Sequence, residues 1–183
     1  MEPAVIEKKI YTYEDYLKTP DDERYELIEG DLMMTPAPSI KHQRVSRKLA
    51  FVLENFVMSH ELGELFYAPC DVFLDDKNVV QPDILFISKE RLNIIGEKNI
   101  QGAPDLAIEI TSQSTAYCDL ALKKKLYAKY GVKEYWIVDP MQDTVEVYLL
   151  KNSAYTLERA YEKSGMLESD CLKPLKIDLS KIF

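Results

Sequence analysis

The sequence predicts an α/β domain in which a mixed central β-sheet is flanked by α-helices. Three observations predict it. Two long segments repeat apolar residues every three or four positions, as an amphipathic helix requires: Val45, Leu49, Val52, Leu53 and Phe56 in the first, Leu120, Leu126, Tyr127 and Tyr130 in the second. Between and after them lie short apolar stretches of strand length, bounded by turn residues. The resulting order of helix, strands, helix, strands places helices on a mixed sheet. At 183 residues and 21.1 kDa the chain has the length of one domain, expected to span 1–183.

The elements follow in order. Thr12-Tyr13-Glu14-Asp15 reads as a capped helix start, with Tyr13, Tyr16 and Leu17 on its apolar face and Pro20 as its stop. Tyr25–Ile28 and Asp31–Met34 flank Glu29-Gly30, a two-residue hairpin signal. Ser39 caps the first long helix and Gly63 follows its end. Leu65–Tyr67, Asp71–Leu74 and Asp83–Ile87 read as strands, with Asp75–Asn78 a turn between the last two and a short helix or loop over Lys89 to Ile95. In Asp105–Ile110 alternation puts Leu106, Ile108 and Ile110 on one face and Asp105, Ala107 and Glu109 on the other. The second long helix runs from about Thr115 to Tyr130 and ends at Gly131. Tyr135–Val138 is a buried strand, Thr144–Leu150 and Tyr155–Tyr161 form a hairpin, and the tail from Cys171 is partly extended.

Composition narrows the function. The 23 basic and 31 acidic residues leave a net charge of −8, whereas a module that grips a phosphate backbone passively is basic. An enzyme that handles phosphates through carboxylates and a bound cation is not excluded, because the cation reverses the local charge. No apolar run is long enough to span a membrane, and no basic-then-apolar leader opens the chain. Cys70, Cys118 and Cys171 form no CxxC pair, which argues against a zinc site or a disulfide framework. A reducing cytoplasm is the expected location. Only His42 and His60 are available as bases, and neither a GxSxG elbow nor a GxxxxGK[ST] loop is present. Serine-type and P-loop chemistry are thereby disfavoured.

Lys123 stands out. It falls in the middle of the apolar face of the second helix, with Asp119 one turn before it, whereas Lys124, Lys125 and Lys129 point elsewhere as solvated charges. Burying an unpaired ammonium is costly. Either Lys123 snorkels or pairs with Asp119, or it faces carboxylates on the sheet. Glu109, beside small Ala107, and Asp83, which opens a strand after Gln81-Pro82, are the candidates. The other readings are a solvent-facing Glu109 on a one-sided sheet and an Asp83 exposed at the sheet edge. Asp105, after Pro104, reads as a turn residue.

Pro82-Asp83 followed after 26 residues by Glu109 resembles the split acidic motif of the PD-(D/E)XK nuclease superfamily. A longer pattern is more specific: Tyr25-Glu26-Leu27-Ile28-Glu29-Gly30, His42, Gln81-Pro82-Asp83-Ile84, Gly102 to Ile110, Asp119…Lys123…Tyr127 and Gly131 to Pro140. From about Tyr11 to Phe183 the chain is similar to the Uma-two family, a bacterial group of restriction-endonuclease-like proteins. One departure matters. The superfamily's lysine two residues after the acid is absent, since Ile110 and Thr111 follow Glu109. The resemblance supplies it from the following helix, as Lys123, and assigns Glu26 as the acid that leans into the site. It implies a restriction-endonuclease-like fold and Mg²⁺-dependent, or Mn²⁺-dependent, hydrolysis of DNA. Asp83 and Glu109 would hold the ion with the carbonyl of Ile110, and their carboxylates would lie within about 5 Å of each other. Lys123 would act on the attacking water or the phosphate, within roughly 3–5 Å of those carboxylates. His42 reads as structural rather than phosphate-binding.

Two other readings share the fold: a non-catalytic interaction or assembly module, and a structure-selective nuclease such as a junction resolvase. A homodimer is also expected, because duplex-cutting nucleases work as pairs and Tyr148, Tyr155 and Tyr161 on the last hairpin read as exposed interface aromatics.

Overall fold

The computed structural model describes residues 9–20, 22–112 and 118–183, with side chains from 121 onward in the last segment. The elements are α1 (Tyr13–Tyr16), β1 (Tyr25–Ile28), β2 (Asp31–Met34), α2 (Ile40–Ser59), β3 (Gly63–Tyr67), β4 (Val72–Asp75), β5 (Asn78–Val80), β6 (Ile84–Ser88), β7 (Ile100–Gln101) and β8 (Leu106–Ile110). They continue as α3 (Lys124–Tyr130), β9 (Glu134–Asp139), β10 (Thr144–Lys151), β11 (Ala154–Glu162), β12 (Met166–Glu168) and β13 (Lys176–Asp178). Lys89–Ile94 and Leu179–Lys181 form 3₁₀ turns.

Six strands make the central sheet, in the order β11-β10-β9-β8-β6-β3. It is mixed: β8 and β9 are parallel and joined through α3, and every other neighbour is antiparallel. Strand alternation gives the sheet two buried faces. On one face Ile84, Phe86, Leu106, Ile108, Ile110, Trp136 and Val138 meet Val45, Leu49, Leu53 and Val57 of α2. On the other, Leu85, Ile87, Ala107, Tyr135 and Ile137 meet Leu126 and Tyr127 of α3 and residues of a second sheet. Glu109 therefore does not face solvent, because the sheet is covered on both sides.

The second sheet, β2-β1-β5-β4-β7, was not expected as a separate layer. Asp75–Asn78 is a turn, but it closes a β4–β5 hairpin rather than leading into β6. Pro82, which has no N–H for a ladder, then carries the chain from β5 into β6 on the other sheet. Within β1, Leu27 packs with Tyr16 and Val79 on one side, while Ile28 joins the Leu126–Tyr127 cluster on the other. Period two then sends Glu26 to the same side as Ile28, toward α3.

The β1–β2 hairpin forms with both turn residues at positive φ, Glu29 at 51° and Gly30 at 81°, as a tight primed turn requires. Ser39 caps α2 by accepting the His42 N–H at 3.2 Å. Gly131 ends α3 in the left-handed region. Three expectations need correction. Leu17 is exposed, because α1 is a single turn and only Tyr16 is buried. Lys124 is not a freely solvated charge but lies 3.4 Å from the Tyr148 ring centroid. The hairpin tyrosines are not an exposed patch either. Tyr135 centres a cluster with Tyr127, Tyr148 and Tyr155, Tyr155 donates to the Val132 carbonyl at 2.7 Å, and Tyr161 packs on the α2 side.

Candidate active site

The β6–β8 register pairs Ile84 with Ile108. One step further along it, Asp83 falls opposite Glu109, on the same face. Both line a cavity of about 110 Å³ whose walls also include Glu26, His42, Gln81, Ile110 and Lys123. Five parts of the chain thus deliver the polar groups: β1, the start of α2, the residues leading into β6, β8, and the helical segment after β8.

Lys123 sits at the centre. Its ammonium lies 2.9 Å from Glu26 Oε1 and 3.1 Å from Glu109 Oε1. All three are buried, at 4%, 5% and 2% exposure. Lys123 is therefore neither snorkelling nor solvated. Whether it also meets Asp119 lies outside the described side chains. Cys118–Lys123 is wound with the wider π-helical turn before α3 tightens to an α-helix, a local form that recurs at functional sites. From Lys123, the i+3 and i+4 positions are Leu126 and Tyr127, both buried.

Each carboxylate has its own holders. Glu26 Oε1 accepts the backbone N–H of Gln81 at 2.6 Å. Glu109 Oε1 accepts the Tyr127 hydroxyl at 2.7 Å as well as the ammonium. Burial, and then the charge of Glu109, push the Tyr127 phenol well above its ordinary value, so it stays a donor. Asp83 Oδ2 accepts the Ile110 N–H at 2.8 Å and faces His42 Nε2 at 3.1 Å. A carboxylate only accepts, so Nε2 carries the proton in that bond.

Lys123 and Glu109 were expected together and are in contact. Glu26 joins them directly. Asp83 and Ile110 line the same cavity, with Asp83 held by His42 and the Ile110 N–H rather than by Lys123. Three partners appeared in the sequence pattern without a role in the site. Tyr127 read as a core residue, although its position four after Lys123 places both on one helical face. His42 read as structural, yet it extends the Val45–Leu49–Leu53 stripe one turn earlier and so points at the end of the sheet. Gln81, through its N–H, carried no side-chain signal. Asp105 proved more than a turn residue: it is 2% exposed, accepts the Ser88 N–H at 2.9 Å, and pairs with Arg91 at 3.1 Å and Lys133 at 2.6 Å.

The donor set is compatible with a hard divalent cation. Among the described residues no group of three or more His, Cys, Asp or Glu side chains stands ready to hold a metal. Mg²⁺ does not need one, since it binds through one or two carboxylates and completes its shell with water and phosphate. Asp83 and Glu109 supply carboxylate oxygens on one face, with the backbone of Ile110 beside them.

These features define a restriction-endonuclease-like α/β fold with a carboxylate–lysine cavity at the end of its central sheet. The chain matches the Uma2 family, described as "Putative restriction endonuclease", over residues 12–180, and it belongs to that family. Its fold is shared with a crystal structure from Anabaena variabilis described as "a putative nuclease belonging to DUF820". That similarity has a TM-score of 0.77 and 22% identity over 94% of this chain and 97% of that one. No curated protein sequence matches the chain significantly.

Proposed function

We propose that this protein is a metal-dependent endonuclease that hydrolyses DNA phosphodiester bonds in the Glu26/Asp83/Glu109/Lys123 cavity. The observation that carries the reading is the buried Lys123 ammonium, held between Glu26 and Glu109 in the cavity that Asp83 also lines. The family description supports nuclease chemistry in general.

Asp83 and Glu109, with the Ile110 carbonyl, would hold Mg²⁺ or Mn²⁺. Such an ion screens the phosphate charge and stabilises the leaving oxygen. The chain's own residues supply the rest. His42 and the Ile110 N–H fix Asp83 Oδ2, and Tyr127 fixes Glu109 Oε1. Glu26, anchored on the Gln81 N–H, holds Lys123. An ammonium between two carboxylates donates and does not accept, so Lys123 orients the attacking water and steadies negative charge on the phosphate. Water adds to phosphorus, the P–O bond to the leaving strand breaks, and a phosphate and a hydroxyl result. A homodimer that cuts both strands of a duplex would need a surface other than the hairpin tyrosines, which pack within the chain.

Calorimetric titration with Mg²⁺ and cleavage of DNA test the proposal. The wild type should bind the ion and cut DNA, Asp83→Ala should lose both, and Lys125→Ala should retain both. A folded wild type that cuts neither duplex nor single-stranded DNA with Mg²⁺ or Mn²⁺ would overturn it in favour of an interaction module. The net charge of −8 would then be the feature consistent with that role.

A further inference from the structure

A groove of about 550 Å³ opens beside the cavity and shares Arg24, Pro38, His42 and Asp83 with it. Its remaining walls come mainly from the outer face of α2 and the end of β3. Two aromatics stand in it exposed: Phe51 at 70% and Tyr67 at 59%.

The segment that supplies much of this groove is charged oppositely to the chain as a whole. From Leu32 to Leu53 there is no Asp or Glu, yet the segment carries Lys41, Arg44, Arg47 and Lys48. Lys41, Arg44 and Arg47 recur every three residues along α2 and are all exposed. Lys41 pairs with Asp143 and Lys48 donates to the Ile182 carbonyl. Arg44 and Arg47 have no ion-pair partner among the described residues. Glu54 is the first acid after this segment, and it and Asp83 are the acids among the groove's walls.

We propose that the groove binds an unpaired stretch of the strand whose phosphodiester enters the cavity, with bases against Phe51 and Tyr67 and phosphates at Arg47 in its wall and at exposed Arg44, three residues earlier on α2. The class of ligand rests on the nuclease reading; the choice of unpaired strand does not. Bases inside a duplex cover one another's faces, so exposed aromatic side chains stack only on bases that are unpaired. The basic stripe supplies the complementary charge that the acidic chain otherwise lacks. Because groove and cavity share Asp83 and His42, a strand lying in one passes a phosphate into the other. The substrate class is then single-stranded DNA, or duplex DNA with an unpaired flap, gap or end.

Fluorescence anisotropy tests this, using a labelled strand of about 12 nucleotides and the matching duplex, without divalent ions so that no cleavage occurs. The wild type should bind the strand more tightly than the duplex. Phe51→Ala should weaken strand binding about five-fold or more. Arg44→Ala combined with Arg47→Ala should lower the slope of log affinity against log salt by about 1.4, from two phosphate contacts. Equal or tighter binding of the duplex, or no effect of Phe51→Ala, would overturn the proposal. So would light scattering that shows a dimer which Phe51→Ala dissociates, since the face would then belong to a second copy. The two readings fail separately. A protein that prefers the strand but never cuts loses the nuclease reading alone, and one that cuts without strand preference loses only the groove.

Discussion

Replacing Lys123 by methionine keeps an unbranched side chain one atom shorter and removes its charge. The structure fixes the consequence. Glu26 and Glu109, both nearly inaccessible, would lose the ammonium at 2.9 and 3.1 Å that joins them. Breaking a buried pair from one side costs about 3–5 kcal/mol, because a charge is left without its partner. For a chain of this size that corresponds to a fall in Tm of roughly 6–20 °C. Lys123 is thus structural, and on the proposed function catalytic as well, so loss of activity has to be read well below the variant's Tm. There, DNA cleavage should fall by about 10²–10³, the cost of losing one donor to developing charge. Glu26→Gln in the same chain removes one stranded carboxylate and should restore part of the stability but none of the activity. Urea unfolding at pH 7 gives the stability, and a supercoiled plasmid gives the cleavage. A cost below about 1 kcal/mol would refute the buried bridge. Full activity of a folded Lys123→Met would refute its place in the chemistry.

Much of this arrangement was legible from the chain alone, for identifiable reasons. Helical period exposed Lys123 as a charge on an apolar face, and strand period put Glu109 opposite Ile108 and Ile110. Both are short-range signals. What the sequence could not show depended on contacts across layers. The second sheet arises because Pro82 breaks the chain between β5 and β6, and a proline reads equally well as a turn within one sheet. The partnership of His42 with Asp83 spans 41 residues and needs the packing of α2 across the sheet. Asp105 reads as a turn residue and Glu134 carries no signal of its own, yet both are buried. Glu134 accepts from Trp136 Nε1 at 2.7 Å, Ser169 Oγ at 3.0 Å and the Cys171 N–H at 2.7 Å. Carboxylates used as internal fasteners and carboxylates used for chemistry share one local pattern, and only their partners separate them.

Three further perturbations follow from the geometry. Burial alone would raise the Asp105 carboxyl, but Lys133, the Ser88 N–H and Arg91 outweigh it and hold it below its ordinary value of 3.8. A depressed carboxyl stabilises the fold above its unfolded pKa and loses that contribution as pH falls through the folded value. Asp105→Asn should therefore cost about 1.5–3 kcal/mol at pH 7 and progressively less below about pH 4. A pH-independent difference in urea unfolding would contradict this. A Cβ on Gly63, at φ 148°, would lie 2.0 Å from the Ile87 carbonyl oxygen where β3 meets β6. Gly63→Ala should then lower the Tm by several degrees, where an unstrained site would gain up to about 1 kcal/mol. The last perturbation is Tyr127→Phe, which separates holding Glu109 from packing. Its ring stays against Tyr135, 5.3 Å between centroids, so the core keeps its volume. Only the hydroxyl that donates to Glu109 Oε1 at 2.7 Å is lost. A hydrogen bond to a charged group contributes about 1.5–3 kcal/mol. Lys123 still contacts the same oxygen, so Glu109 keeps that charge partner and loses one constraint on its orientation. If that orientation serves the cation, Mg²⁺ affinity by calorimetry should weaken more than the affinity for a labelled strand measured without metal. A purely structural tyrosine would lower the Tm and leave Mg²⁺ affinity at the wild-type value, and that result would remove Tyr127 from the site.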